Sequence, residues 1–329
     1  MGRGIAVVFA YAGHDVTLVD LKPRSEGDFT ALASAAQAEI RGTLATLAAL
    51  GLFEETAVEA ISRRVRVAPE TEAVSALRGA AVIFEGVPEV LDLKRDALAR
   101  ASALAGPDAI IASTTSTILV DDLSPSVSGP ERFLNAHWLN PAYLVPLVEL
   151  SPGKLTDPDI TDRLKELLEG VGKVPVVCAP SPGYIVPRIQ ALAMNEAARL
   201  VEEGVASAED IDKATLYGFG FRFAVLGLLE FIDWGGGDIL FYASRYMAEA
   251  TGEDRFRAPK VIENNMAEGR IGLRTRKGFL DYQGMDVAAY QRDRLAAFVG
   301  LLKHMGLTRP PVVEDREPGN LGENSSSLK

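Results

Sequence analysis

Apolar and polar positions follow two different rhythms along the chain, and the change falls near residue 180. In the first half, short β-rich runs at 16–19, 65–67, 81–85, 109–112 and 133–137 alternate with helical stretches at 1–12, 28–52, 90–104 and 158–172. This alternation predicts an α/β domain with a parallel sheet, in which ligands gather beyond the carboxyl ends of the strands. Glu85, Ser113 to Ser116 and His137 stand at those ends. After the turn Ala179-Pro180-Ser181-Pro182-Gly183 the period is helical for most of the length, over 184–203, 207–217, 225–249, 256–268 and 286–305. Arg309 to Lys329 is polar and rich in Pro, Gly and Ser, the composition of a disordered tail.

The first twenty residues sharpen the first half. A helix opened by glycines, the turn Gly13-His14-Asp15 and the run Val16 to Val19 ending at Asp20 form the second part of a dinucleotide-binding βαβ unit. Gly2 fits the third glycine of the fingerprint, and Asp20, 18 residues on, fits the acid that bonds the ribose hydroxyls and disfavours a 2′-phosphate. The first strand and the first two glycines are missing from this reading. That strand is central in such sheets, and its loss leaves the flanking strands without backbone partners. The functional protein is therefore expected to begin about 10 to 15 residues upstream. A glycine-opened helix taken alone also occurs where nothing binds. The expected organisation is a Rossmann-type domain lacking its first strand over 1–179, an all-helical domain over 180–308, and the tail over 309–329.

Composition narrows the partners. A net charge of −11 over 329 residues argues against nucleic acid or an anionic membrane, which call for a basic patch. The single cysteine, Cys178, has no partner for an intramolecular disulfide and no His or Cys cluster around it, so no structural metal is expected. No run approaches the length of a membrane span and no secretion signal opens the chain, which leads to a cytoplasmic expectation.

Of three histidines, only His137 lies in an apolar strand-like segment, FLNAHWLNPAYLVPLVEL (133–150), with Glu149 closing the next apolar run. Imidazole titrates near neutrality, and a carboxylate on one ring nitrogen leaves the other free to take a proton. A buried carboxylate in turn requires a partner. A core histidine with satisfied nitrogens fits the same residues, as a strand-end turn fits Ser113 and Ser116, a turn fits Asn140-Pro141, and an exposed helix face fits Lys94.

With these residues on the page, the chain resembles the L-3-hydroxyacyl-CoA dehydrogenase family in its broad sense, which includes 3-hydroxybutyryl-CoA, carnitine and L-gulonate dehydrogenases. The resemblance runs from MGRGIA to KGFLDY and rests on four elements in combination. These are H-x-x-N-P with Glu149 following, Ser113-Thr114-Thr115-Ser116 before it, Pro182-Gly183-Tyr184-Ile185-Val186-Pro187-Arg188 after it, and G-x-x-x-x-x-G-F-x-D-Y from Gly272 to Tyr282. The resemblance implies NAD as cofactor, His137 as the base that takes the hydroxyl proton, Glu149 as the acid orienting it, and Ser116 as the hydroxyl bonding the reacting oxygen. It also implies that Asn140 lies near the nicotinamide, that Gly2 and Asp20 contact pyrophosphate and ribose, that Glu89 and Lys94 stand on the cofactor side, and that Arg274 is a basic residue near the cofactor. The same resemblance implies a homodimer, with 180–308 as the substrate and dimerisation domain.

Two departures bear on substrate. Pro187 replaces an asparagine that the family sets against the substrate; proline has no side-chain donor and no N–H, so a water or Asn195 would have to supply that contact. At Gly218 to Gly227 the chain carries Arg222 followed by Phe223, similar to relatives acting on free hydroxy acids, and a guanidinium suits a carboxylate. A solvent-facing or interface arginine fits Arg222 equally. The expectation is NAD-dependent oxidation of an L-3-hydroxyacyl-CoA of the 3-hydroxybutyryl kind. The alternatives are the same chemistry on a small free hydroxy acid held by Arg222, and a catalytically idle structural relative.

Overall fold

Seven short strands form where the chain is rich in Val, Ile and Leu, in a computed structural model that describes residues 1–311. They are β1 (Val16–Val19), β2 (Val65–Ala68), β3 (Val82–Glu85), β4 (Ile110–Ser113), β5 (Phe133–Trp138), β6 (Leu147–Pro152) and β7 (Val174–Val177). Most of the tail expected to be disordered lies outside the described residues. The chain separates into two compact units, Met1–Glu196 and Ala197 onward.

In the first unit the strands make two sheets. β1 and β2 pair in parallel, and β3-β4-β5-β6-β7 form a second sheet that is parallel except for the β5–β6 step. The antiparallel step departs from the all-parallel expectation. Residues 139–146 between β5 and β6 are too few for a crossover helix, so the chain can only turn back on itself. β7 carries Pro175 without losing a ladder bond it needs, because it is an edge strand.

Among the described residues no backbone pairing joins β1 to β3. A cavity of about 1240 Å³, lined among others by Val16 to Asp20, Val82 to Glu85 and the helix Gly2–Tyr11, lies between them. That helix is apolar on more than one side and links the two sheets by packing. Ile5, Val8 and Phe9 join the cluster of Ile110, Ala112, Leu134 and Trp138, whereas Ala6, Val7 and Ala10 join Ile40, Leu44 and Val65. Helices Glu26–Ala49 and Pro158–Gly170 start where they do because Ser25 and Asp157 accept backbone N–H groups of the first turn.

The second unit contains helices Ala208–Ala214, Leu228–Gly235, Gly237–Thr251, Lys260–Ala267 and Val287–His304. The expected single helix over 225–249 is broken at Gly236, whose φ of 108° only glycine adopts readily. The stretch expected to end at 217 runs on through a π-helical turn over Thr215–Gly220. The helix expected from 256 starts at Lys260, since Pro259 precedes it as the N-cap. Among the described residues no single helix is long and apolar enough to cross a membrane.

Candidate active site

The reversal between β5 and β6 sets His137 directly opposite Glu149 in the ladder. His137 Nδ1 lies 2.8 Å from Glu149 Oε2, and both side chains are buried. An ionised carboxylate only accepts, so Nδ1 is the donor of this bond, and in the neutral imidazole Nε2 is left as the acceptor. The other carboxylate oxygen, Oε1, accepts the backbone N–H groups of Ile185 and Val186, both at 2.9 Å. Burial pushes the Glu149 carboxyl up, but the bonds from His137 and from the Val186 and Ile185 amides outweigh it and hold the group below its ordinary range. The need of a buried acid for partners is thus met in full by one imidazole and two amides.

Ser116 sits three residues beyond β4, on an exposed turn. Glu89 organises that turn: its Oε1 accepts the N–H groups of Ser116 and Thr117, each at 3.0 Å, and the hydroxyls of Thr115 and Thr117. Desolvation raises the Glu89 carboxyl, and these hydrogen bonds with the charge of Lys94 bring it below its usual value. Among the described residues the Ser116 hydroxyl itself takes no part in this network.

Lys94 is not an exposed helix lysine. It is 1% exposed, and Nζ lies 3.1 Å from Glu85 Oε1, 3.2 Å from the Val87 carbonyl and 3.4 Å from Glu89 Oε2. Glu85 also accepts from the Ser113 hydroxyl at 2.6 Å and the Val87 N–H at 2.6 Å. Glu85 is thus more than a polar residue at a strand end: it is a buried carboxylate tying β3 to β4 and to the helix Leu91–Leu104.

Gly2 begins its helix, and the N-cap Met1 supplies no side-chain bond to the first-turn amides. Gly86, just beyond β3, stands beside this helix start, a Cβ built on it lying 3.5 Å from the Gly2 nitrogen. Asp20, at the end of β1, bonds the Lys22 N–H at 3.2 Å and forms an ion pair with Arg24. Helix amides without a side-chain cap and an acid at the end of a strand fit a dinucleotide. Asn140 is exposed, on the turn after β5, and its peptide bond to Pro141 is cis. Lys173, which the sequence reading did not single out, secures that turn: buried Nζ donates to the Val145 carbonyl at 2.9 Å and to that of Ala142, 5.7 Å from the centre of the Trp138 ring. Burial lowers its ammonium from the ordinary lysine value.

In the second unit, Arg222 lies over the Phe231 ring at 5.5 Å, and among the described residues no carboxylate pairs with it. Arg274 forms an ion pair with Asp238. Pro187 occupies the first turn of the helix Val186–Glu202, where a missing N–H costs nothing, and Asn195 is exposed further along it. The Gly272–Tyr282 motif has a structural centre that the sequence did not reveal. Asp233, 2% exposed, accepts from the Phe279 N–H at 2.9 Å, the Leu280 N–H at 2.8 Å and the Tyr282 hydroxyl at 3.2 Å. Side chains at Gly272 or Gly278 would collide with Asp233.

Residues 1–181 match the family model described as 3-hydroxyacyl-CoA dehydrogenase, NAD binding domain, and residues 183–282 match 3-hydroxyacyl-CoA dehydrogenase, C-terminal domain. The chain is 32% identical to a 3-hydroxybutyryl-CoA dehydrogenase of Bradyrhizobium diazoefficiens, over 86% of this chain and 92% of the relative. It is 29% identical to a 5-formyl-3-hydroxy-2-methylpyridine 4-carboxylate 5-dehydrogenase of Mesorhizobium japonicum, over 92% and 94%. Among solved structures, a 3-hydroxyacyl-CoA dehydrogenase from Archaeoglobus fulgidus superposes with a TM-score of 0.73 at 29% identity, covering 94% of this chain and 96% of that one.

Proposed function

The chain belongs to the 3-hydroxyacyl-CoA dehydrogenase family, whose members are NAD-dependent oxidoreductases, and from that premise we propose that it oxidises the 3-hydroxyl of an L-3-hydroxyacyl-CoA of the 3-hydroxybutyryl kind. The observation that carries the reading is the bond from His137 to Glu149 across β5 and β6. Nε2 of His137 takes the hydroxyl proton while hydride leaves the same carbon, which requires the alcohol within about 3 Å. Glu149 holds the ring in the tautomer that leaves Nε2 basic and stabilises the imidazolium that forms. Ser116 donates its hydroxyl to the reacting oxygen, on a turn that Glu89 keeps in place. Gly2, Asp20, Glu89, Lys94 and Asn140 make up the cofactor side, Lys94 by fixing Glu85 and Glu89 rather than by a free ammonium. When bound there, NAD supplies the hydride acceptor.

A second reading keeps this chemistry and replaces the thioester with a small free hydroxy acid held by Arg222. Two observations favour it: Arg222 has no carboxylate partner among the described residues, and a relative matching most of the chain is named for a substrate bearing a carboxylate. NAD reduction with (S)-3-hydroxybutyryl-CoA beside free 3-hydroxybutyrate, L-gulonate and carnitine separates the two. Arg222→Ala should spare the CoA ester under the first reading and abolish turnover of the free acid under the second. A cytoplasmic homodimer is part of the same proposal, and equilibrium sedimentation checks the dimer.

A further inference from the structure

Gly183 and Tyr184 both adopt positive φ, 75° and 43°. For glycine this is ordinary; for a bulky aromatic residue the left-handed region costs about 1–2 kcal/mol and persists only where the surroundings impose it. The surroundings here are the three parts of the candidate site. The Tyr184 ring stacks on the His137 imidazole with centroids 5.2 Å apart and planes inclined by 19°. Its hydroxyl accepts from Asn135 Nδ2 at 3.0 Å and donates to the Thr115 carbonyl at 3.1 Å. Asn135 stands two residues before His137, on the same face of β5, and Thr115 immediately precedes Ser116. The next two amides along the chain are those bonded to Glu149.

We propose that Tyr184 is a positioning residue that aligns the His137 ring through its stack and ties the Ser116 turn to β5 through its hydroxyl. The proposal rests on the reading of His137 and Ser116 as the base and the oxygen-binding hydroxyl. Tyr184 is 5% exposed, and burial raises its phenol above the ordinary tyrosine value, so the hydroxyl keeps its proton and remains a donor to Thr115. The two functions are separable. The ring needs only an aromatic plane, whereas the tether needs the oxygen.

Tyr184→Phe and Tyr184→Leu in the full chain, each first shown to be folded by circular dichroism and NAD binding, test the division. His137 ring signals are followed by NMR, assigned against His137→Gln, and turnover is measured with (S)-3-hydroxybutyryl-CoA and the free acids. Tyr184→Phe should leave the His137 signals in place, speed amide exchange at Ser116 to Ile118, and lower kcat about fivefold with KM nearly constant, the effect of one buried hydrogen bond. Tyr184→Leu should move the His137 signals and lower kcat about a hundredfold, as displaced reacting groups do. His137 signals in Tyr184→Leu that coincide with wild type overturn the stacking role, and unchanged amide exchange and kcat in Tyr184→Phe overturn the tether. If no substrate reduces NAD, the dehydrogenase reading fails by itself, and the ring signals and amide exchange still decide the position of Tyr184. If the leucine variant does not fold, the phenylalanine variant still decides the tether and the spectrum of wild type against Tyr184→Phe decides whether the ring alone fixes His137.

Discussion

His137 and Glu149 face each other as a cross-strand pair, and the 2.8 Å bond between Nδ1 and Oε2 is a product of that register. A shift of either strand by one residue would turn one side chain to the opposite face of the sheet. The pair is fixed by backbone hydrogen bonds of the ladder before any side-chain contact is counted.

Replacing His137 with Gln should remove the proton acceptor and leave the fold in place, since an amide fills much of the same volume. NAD reduction with whichever substrate is turned over should fall by about 10² to 10⁴-fold, read as absorbance of the reduced cofactor. Activity equal to wild type would remove His137 from the mechanism.

Glu149 also links the site to acid stability. Its carboxyl is held below its ordinary value of 4.5, so its contribution to stability is complete above that value and is lost as pH falls through the lower folded value. Urea unfolding from pH 7 to pH 3 should show stability falling below about pH 4.5, with Glu149→Gln shallower over that window. The same variant should lower kcat at neutral pH, because a neutral amide no longer favours the imidazolium. A Gln variant with the acid profile of wild type would contradict the assignment.

Lys94→Met leaves Glu85 buried without its main counter-charge. Breaking a buried pair from one side costs about 3–5 kcal/mol, and the denaturant midpoint should fall accordingly. The paired change Lys94→Met with Glu85→Leu should recover part of that loss, which distinguishes an uncompensated charge from a packing defect.

Gly278→Ala places a methyl group against the Asp233 carboxylate, and Asp233→Ala leaves the amides of Phe279 and Leu280 without their acceptor. Each should destabilise the protein by more than about 2 kcal/mol, measured by thermal or urea unfolding, through the second unit rather than through the chemistry. The double variant should cost less than the sum, because both act on one contact.

The pairing of His137 with Glu149 was legible because its signals are local: the scarcity of histidine and the carboxylate closing the next apolar run single them out without a fold. Ser116 has no such signal, since a strand-end turn fits it as well, and it enters only through the family resemblance. Lys94 illustrates the opposite case. Helical periodicity places it on a helix but does not say that Glu85, nine residues earlier on a strand, draws it into the interior. Asp233 and the Gly272–Tyr282 motif are separated along the chain, and only the closed turn shows that Gly272 makes room for the Asp233 backbone and Gly278 for its carboxylate. Tyr184 was read as one position in a motif, since ring stacking leaves no trace in spacing. The break at Gly236 does leave a trace, the run Gly235-Gly236-Gly237, which interrupts the apolar pattern that flanks it on both sides.

The helix Gly2–Tyr11 serves two packing partners at once. Ile5, Val8 and Phe9 fit the cluster of Ile110, Ala112, Leu134 and Trp138, and Ala6, Val7 and Ala10 fit that of Ile40, Leu44 and Val65. Interiors are packed too closely to absorb an added or deleted methylene without a shift. A change of volume at any of these positions would therefore be passed along the helix to Gly2 at its start, so that the cofactor side answers to side chains that touch no ligand.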